Sequence, residues 1–143
     1  MGLHTYNRLF LWWRTYSICG APMPIELQKF ITRQDLRNNP EKIYVFGDNE
    51  MRQGLSGQAG QMRGEPNAHG IATLKMPEFW TDAEYYRQCE ILDHDFAPLF
   101  RAKSEGRTIV LPSDGIGTGI ADLANRAPQT FQHLQKLWRD LID

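Results

Sequence analysis

Short apolar runs and longer amphipathic stretches alternate along most of the chain. Residues 42–46 are rich in β-branched and aromatic side chains and lead into Gly47-Asp48-Asn49, which predicts a buried strand with Asp48 at its carboxyl end. Residues 69–74 predict a second strand, and residues 107–112 predict a third. Strands separated by helical stretches are typical of an α/β sandwich.

Three amphipathic segments predict helices around these strands. Thr32, with an acidic residue three positions later, has the pattern of a helix N-cap, and Asn38-Asn39-Pro40 ends that helix. A longer helix starts near Thr81, and Pro98 is expected to bend or end it. The last helix starts near Pro128, because proline suits the first helical turn.

Two glycine-rich segments follow predicted strands. The run Gly115-Ile116-Gly117-Thr118-Gly119, preceded by Ser113 and Asp114, can bend tightly and point backbone N–H groups into one concavity that suits an anion. It could equally be a plain turn between a strand and a helix. Residues 54–64 are mostly loop, with a helix allowed from near Ser56. Because parallel strands end at one edge of a sheet, we expect both segments on one rim.

The composition limits the partners that the chain can bind. Its 143 residues, 41% hydrophobic, suffice for one core, and 16 basic against 17 acidic residues give a net charge of -1. That balance gives no electrostatic basis for binding duplex nucleic acid or a membrane. The two cysteines, Cys19 and Cys89, indicate no disulfide, which favours a cytoplasmic protein. His94 has acidic neighbours but no second ligand at metal spacing, so neither a metal nor a cofactor is predicted.

The first 22 residues differ from the rest in being aromatic and basic, with no acidic residue. Their apolar stretch 9–13 is too short for a signal peptide or a membrane span. Three interpretations are open: an amphipathic surface segment, an extra structural element, or an extension upstream of a start at Met23. We favour the last, which makes 1–22 an extension and 23–143 the domain.

The residues from Phe46 to Ile71 resemble those of a family of small uncharacterised bacterial and phage proteins. The shared pattern is FGDN, then GQA, then MRGEPNA. Together with the strand that leads into the run at 115–119, this stretch also resembles the macro domain, the fold that binds ADP-ribose. The resemblance covers residues 25–143. It implies a three-layer α/β/α sandwich with a central mixed, mostly parallel sheet that binds ADP-ribose or a related adenine nucleotide, free or attached to a macromolecule.

The same resemblance implies roles for single residues. In macro domains the aspartate after the first glycine accepts a hydrogen bond from the adenine amino group, and that position is Asp48, although an Asx turn would also explain it. The first glycine-rich segment, from Gly54 to Gly60, would face the distal ribose and one phosphate, and the 113–119 loop would hold the diphosphate. Gln58 and Asn67 would meet ribose hydroxyls, unless Asn67 only builds a turn. Arg63 would pair with a phosphate or with Glu65. The predicted ligand-binding residues are Gly47, Asp48, Asn49, Gly57, Gln58, Ala59, Arg63, Asn67, Ser113, Gly115, Ile116, Gly117, Thr118 and Gly119.

Catalysis is a separate question. The macro domains that remove ADP-ribose from acidic residues use a lysine after the central strand and an aspartate past the phosphate loop. Lys75 stands at the lysine position, but the aspartate position falls on Ala121, one residue before Asp122. Asp114 is a third candidate acid, and Asp before Gly is also a common turn pair. A receptor without catalysis and a protein-interaction module are therefore alternatives to a hydrolase.

Two aromatic pairs add a further candidate. Phe79-Trp80 and Tyr85-Tyr86 lie around the start of the long helix. They could stack on a base, or they could belong to the core or to a lid.

Overall fold

The structure is a computed structural model and describes residues 24–143. The expected extension at residues 1–22 lies outside the described residues. Strands and helices alternate along the described chain, which confirms the α/β class. In chain order the elements are β1 (Ile25–Gln28), α1 (Arg33–Asn38), β2 (Ile43–Asp48), α2 (Gln58–Met62), β3 (Ala68–Ala72), a 3₁₀ turn (Asp82–Glu84), α3 (Tyr85–Ser104), β4 (Ile109–Pro112), α4 (Leu123–Arg126) and α5 (Pro128–Ile142).

The strands of this region form one four-stranded sheet in the order β1-β4-β2-β3. Every pairing within it is parallel, and β2 aligns with β3 from Tyr44 opposite Ala68 to Asp48 opposite Ala72. The carboxyl ends of all these strands therefore lie along one edge of the sheet. The loops that follow them meet at that edge, as the sequence predicted.

Two apolar clusters pack against the sheet, because successive strand residues point to opposite faces. The large cluster joins Val45, Ile109 and Leu111 to residues of α3 and α5. The small cluster joins alternate strand residues to α1, to α2 and to the chain before α1, and its members are Ile31, Leu36, Tyr44, Phe46, Ala59, Met62 and Val110. Burying one such aliphatic side chain stabilises the fold by roughly 1.5–3 kcal/mol.

Helix α1 begins as the sequence predicted. The Thr32 hydroxyl accepts a hydrogen bond from the Asp35 N–H, and the Thr32 N–H donates to the Asp35 carboxylate at 2.8 Å, which is a complete capping box. This backbone hydrogen bond from Thr32 lowers the pKa of Asp35 below its ordinary value. A charged Asp35 therefore holds the start of α1.

Of the two expectations for Pro98, a bend or an end of the helix, the second is wrong. The helix runs for 20 residues and continues through Pro98 to Ser104. Phe96 and Leu99, on either side of the proline, are both fully buried. Their packing outweighs the roughly 3 kcal/mol that proline costs inside a helix. Neither α3 nor any other helix between residues 24 and 143 is both long and apolar enough to cross a membrane.

Strand β1 has no counterpart in the sequence prediction. It is only four residues long, and none of them is fully buried. Four half-exposed residues are too few to establish a period-two pattern. The strand forms because Ile25 to Gln28 pair with β4 across its whole length.

Candidate functional site

One cavity of about 620 Å³ opens at the carboxyl edge of the sheet. This volume lies in the range of about 300–1,000 Å³ that is usual for small-molecule sites. The wall includes both glycine-rich segments and the end of β2. The lining residues are Gly47, Asp48, Asn49, Gln53, Gly54, Ser56, Gly57, Gln58, Ala59, Arg63, Thr73, Leu74, Met76, Pro77, Phe79, Pro112, Gly115, Ile116, Gly117, Thr118, Gly119, Ile120 and Ala121.

Residues 115–121, which we call the glycine loop, form one side of the cavity. Gly115 and Gly117 adopt positive φ angles of 80° and 73°, and a backbone bent in this way can gather N–H groups into an anion-binding nest. The loop is closed by hydrogen bonds from the Leu123 N–H to the Gly117 carbonyl and from the Asp122 N–H to the Gly119 carbonyl. The backbone N–H groups from Ile116 through Ala121 find no acceptor within the described chain.

The last two glycines of this loop differ, because glycine is required at Gly117 but not at Gly119. A Cβ at Gly117 would come within 2.6 Å of the Leu123 side chain, so the positive φ and the packing beneath the loop both require glycine there. A Cβ at Gly119 would meet no atom within 4 Å, and its backbone conformation is ordinary. Gly119 is therefore the position from which a side chain can enter the cavity without disturbing the core.

Asp48 lies at the carboxyl end of β2 and is paired with Arg63. The guanidinium donates from Nη2 to Oδ1 at 2.5 Å and from Nη1 to Oδ2 at 3.2 Å. The Asn49 N–H also donates to Oδ1, at 2.8 Å. The Asp48 side chain is only 3% exposed and the Arg63 side chain 21%. Asp48 thus presents an ion pair to the cavity instead of a bare carboxylate.

Arg63 also joins the first glycine segment to the sheet. Its Nε donates to the Gly54 carbonyl at 2.8 Å, and its Nη2 reaches the Gln53 carbonyl at 3.2 Å. The guanidinium carbon lies 5.4 Å from the centre of the Phe46 ring. Arg63 therefore fixes this wall of the cavity while it neutralises Asp48.

The expected alternative pairing of Arg63 with Glu65 is wrong. Glu65 instead accepts hydrogen bonds from Arg33 at 2.8 Å and from Arg37 at 3.0 Å. The hydrogen bond from Arg33 is the main reason why the pKa of Glu65 lies below its ordinary value. Because α1 supplies both arginines, Glu65 fixes the chain after α2 against α1.

A second ion pair, between Arg52 and Asp95, lies next to Asp48, and the sequence did not predict it. Arg52 donates to both Asp95 carboxylate oxygens at 2.7 Å and reaches the Asp48 carboxylate at 3.8 Å. Gly70 is required beside this group, because a Cβ there would lie 2.5 Å from Asp48 Oδ2. Arg52 and Asp95 are 43 residues apart, and no motif in the sequence links them.

The first glycine segment supplies the wall that contains Gln58. Gly57 adopts a φ of 59°, and α2 begins directly after it. The Gln58 Oε1 atom is buried and has no hydrogen-bond partner in the described residues. Gln58 and Ala59 both line the cavity. The role of Gln58 at a ribose hydroxyl stays a prediction.

Asn67 and Ser113 are not brought to this cavity. The Asn67 side-chain amide donates to the backbone carbonyls of Leu36, Asn39 and Lys42 at 3.0–3.1 Å. Asn67 therefore connects the loops before β2 and β3. This agrees with the alternative in which Asn67 builds a turn and does not meet a ribose hydroxyl. Ser113 lines a separate cavity of about 250 Å³ behind the glycine loop.

The three candidate catalytic residues also lie outside the cavity wall. Lys75 is partly exposed, and its ammonium group lies 3.5 Å from Glu84. Asp122 accepts a hydrogen bond from the Asn125 amide at 3.0 Å, and its neighbour Ala121 lines the cavity in its place. Asp114 lines the smaller cavity. Within the described chain, the ionisable side chains that line the main cavity are Asp48 and Arg63, and these are paired with each other.

Residues 74–80, which we call the strap, follow β3 and contribute apolar side chains to the cavity wall. Leu74, Met76, Pro77 and Phe79 line it. Trp80 is a core residue with 1% exposure, and its indole N–H donates to Glu50. Phe79 has the Arg126 guanidinium 3.7 Å from its ring centre. The two members of this aromatic pair therefore differ in role: Trp80 belongs to the core, whereas Phe79 belongs to the cavity.

Comparison with known proteins gives a family but no function. No curated protein and no solved structure matches the chain. The model of DUF7831, a family of unknown function, matches residues 26–137, which include the glycine loop, Asp48, Arg63 and the strap. The chain therefore belongs to the DUF7831 family.

Proposed function

We propose that the chain binds ADP-ribose or a related adenine nucleotide diphosphate in the cavity at the carboxyl edge of the sheet. The observation that carries the proposal is the row of backbone N–H groups from Ile116 through Ala121 that lack acceptors in the described residues. All of these residues line the cavity. An anion is the ligand that such a row of donors suits.

The energetics favour a diphosphate held by backbone donors. A hydrogen bond to a charged acceptor contributes roughly 1.5–3 kcal/mol, so three or four of them contribute about 5–12 kcal/mol, a range that includes the roughly 8 kcal/mol of micromolar binding, without a free Lys or Arg. The cavity offers no free cation in the described residues, since Arg63 is bound to Asp48. The phosphates therefore belong at the glycine loop.

The Asp48–Arg63 pair suits the edge of adenine. Arg63 Nη1 uses one of its two N–H groups on Asp48 Oδ2, and we propose that its second N–H and the carboxylate serve a base as one donor and one acceptor. Adenine presents a matching amino donor and ring-nitrogen acceptor, whereas the corresponding edge of guanine presents two acceptors. The pair therefore supports adenine over guanine.

The fold is consistent with this assignment. We propose that the sheet, with the large cluster on one face and the small cluster on the other, forms the three-layer α/β/α sandwich of a macro-like domain. The ligand then lies across the carboxyl ends of the strands, which is the usual place in parallel α/β sheets.

A receptor is supported better than a hydrolase. General acid–base or nucleophilic catalysis needs an ionisable group within hydrogen-bond reach of the reacting atoms. Lys75, Asp114 and Asp122 do not line the cavity, and Asp48 is engaged by Arg63. We therefore propose a cytoplasmic protein that reads or sequesters the nucleotide, free or attached to a macromolecule, without turning it over.

Isothermal titration with ADP-ribose, ADP and GDP tests this function. We expect 1:1 binding of ADP-ribose and ADP and at least about tenfold weaker binding of GDP, because the N7/O6 edge of guanine has no amino donor for Asp48 where the N7/N6 edge of adenine has one. Chromatography after prolonged incubation with an ADP-ribosylated protein should show no release of ADP-ribose. No heat with any of the three nucleotides would overturn the proposal, and released ADP-ribose would overturn the receptor assignment.

A further inference from the structure

The smaller cavity, of about 250 Å³, has no part in the proposed nucleotide site. One face of α5 lines it with Phe131, Leu134, Gln135 and Trp138, which follow one another at helical spacing. The rest of the wall comes from residues between 113 and 118. The volume is below the range of about 300–1,000 Å³ that is usual for small-molecule sites, so the cavity suits a single side chain.

Asp114 is the one ionisable side chain in this wall among the described residues. It lies in a turn that is closed by a hydrogen bond from the Gly115 N–H to the Pro112 carbonyl at 2.9 Å. In an Asx turn the carboxylate itself would accept a neighbouring N–H. The side-chain donor that reaches Asp114 is instead the Thr118 hydroxyl, and it contacts the backbone carbonyl. The turn therefore does not use the Asp114 carboxylate, which is open to a cation.

Phe131 and Trp138 give the same cavity aromatic walls. Both side chains are partly buried and pack against the large cluster, which holds them in place. An aromatic ring attracts a cation, and a planar guanidinium can lie on the ring while its N–H groups donate to a carboxylate. Ser113 and Gln135 add neutral oxygen acceptors to the wall. Within the described chain this combination suits a guanidinium better than an anion or a neutral group.

We propose that the smaller cavity binds the guanidinium group of an arginine side chain from a partner polypeptide. Asp114 accepts the guanidinium N–H groups, and Trp138 supplies the aromatic surface. A polypeptide is the source because the cavity has room for one side chain and not for a larger metabolite. The proposal goes beyond nucleotide binding, since it assigns a second ligand to a second cavity.

The test is an NMR titration of the full chain, observed through its ¹H–¹⁵N resonances. The two probes are N-acetyl-arginine amide and N-acetyl-citrulline amide, in which a neutral urea group replaces the guanidinium. We expect the arginine compound to shift the Trp138 indole N–H and the amides of residues 113–118. The citrulline compound should bind at least about tenfold more weakly, because attraction to the carboxylate and to the aromatic face both require the positive charge.

Three variants make the result specific to this cavity. Asp114→Asn keeps the shape of the side chain and should weaken binding of the arginine compound at least about threefold. Trp138→Leu keeps an apolar side chain and should weaken it by a similar factor. Asp140→Asn removes the same charge from α5 at a residue that pairs with Lys136 and does not line the cavity. This control should leave the affinity unchanged.

Free arginine tests the source of the guanidinium. Its charged amino and carboxylate groups have no counterpart in a polypeptide, so it should bind no more tightly than the blocked compound. Tighter binding of free arginine would overturn the assignment to a polypeptide.

Three results would overturn the guanidinium site itself. They are no binding of the arginine compound at millimolar concentrations, equal binding of the arginine and citrulline compounds, and undiminished binding by Asp114→Asn. No nucleotide is present in these titrations, so each of these results leaves the proposed function as it stands.

Discussion

The glycine loop and a charged network that includes Lys75 of the strap use their polar groups in opposite ways. In the glycine loop, backbone N–H groups from Ile116 through Ala121 have no acceptor in the described residues. In the charged network, Lys75 pairs with Glu84, Glu84 with Arg87, and Arg87 with Glu50. A run of donors without protein partners is open to a ligand, whereas paired charges are already used within the fold. We therefore propose that the backbone supplies the binding groups and that the paired charges stabilise the wall.

The Asp48–Arg63 pair lies between these two extremes. It lines the cavity, yet its atoms are largely satisfied by each other and by Asn49 and the loop carbonyls. We expect it to contribute to both stability and recognition.

The largest effect should come from breaking this pair. Asp48→Ala leaves Arg63 and the neighbouring Arg52 without their shared anion, and loss of one member of a buried pair typically costs about 3 kcal/mol or more. We expect the free energy of unfolding, measured by urea denaturation, to fall by about 3 kcal/mol. Asp114→Ala, at the exposed edge of the smaller cavity, is the control and should cost less than about 0.5 kcal/mol. Similar values for both variants would contradict a stabilising role of the pair.

The next largest effect should be on binding at the glycine loop. Gly119→Glu puts a carboxylate into open space within the cavity, where it competes with the phosphates for the same N–H groups. We expect at least about a hundredfold loss of ADP-ribose affinity, roughly 2.7 kcal/mol, with an unchanged melting temperature. Gly119→Gln has the same shape without the charge and should lose clearly less affinity. Equal binding by both variants would remove the electrostatic part of the explanation.

A smaller effect is expected for the charged network that includes Lys75 of the strap. Lys75 forms a partly exposed pair with Glu84, and such pairs contribute about 0–1 kcal/mol. Lys75→Ala should therefore change the ADP-ribose affinity less than about twofold by titration and the free energy of unfolding by less than about 1 kcal/mol. A tenfold loss of affinity with normal stability would show that Lys75 contacts the ligand, and Lys75 would again be a candidate catalytic residue.

The smallest effect should be that of pH on binding. The cavity wall in the described chain contains no His, Cys or Lys, the side chains that titrate from near neutral pH upward. The affinity for ADP-ribose should vary less than about twofold between about pH 6 and pH 9. Titrations in buffers of different ionisation enthalpy should also show no proton uptake. A bell-shaped profile would indicate a titrating group that reaches the ligand.

Sequence patterns predicted the parts of the molecule that depend on local structure. The capping box at Thr32, the strand that ends at Asp48 and the last helix from Pro128 were all confirmed. The clustering of Asp48 with both glycine segments was confirmed too, because parallel topology brings strand ends together. These features follow from periodicity and turn chemistry alone.

The parts that were missed depend on contacts between distant residues. The partner of Arg63 could not be chosen from sequence, because Glu65 is nearer along the chain but Asp48 is nearer in space. The direction of Lys75 and the structural use of the Asn67 amide are likewise set by packing. Pro98 shows the same limit, since burial on both sides overrides the local preference of proline.

Asp95 also affects the free edge of the sheet at β3. β3 is an edge strand, and its Ala72 N–H faces away from β2, where a strand of another molecule could pair with it. The Asp95 carboxylate accepts this N–H at 2.8 Å, and the Asp95 backbone carbonyl contacts the His69 ring nitrogen at 2.7 Å. The Asp95 carboxylate of α3 thereby takes one of the hydrogen-bonding positions that intermolecular strand addition would need. We expect this carboxylate, which also pairs with Arg52 near the cavity, to disfavour edge-to-edge aggregation.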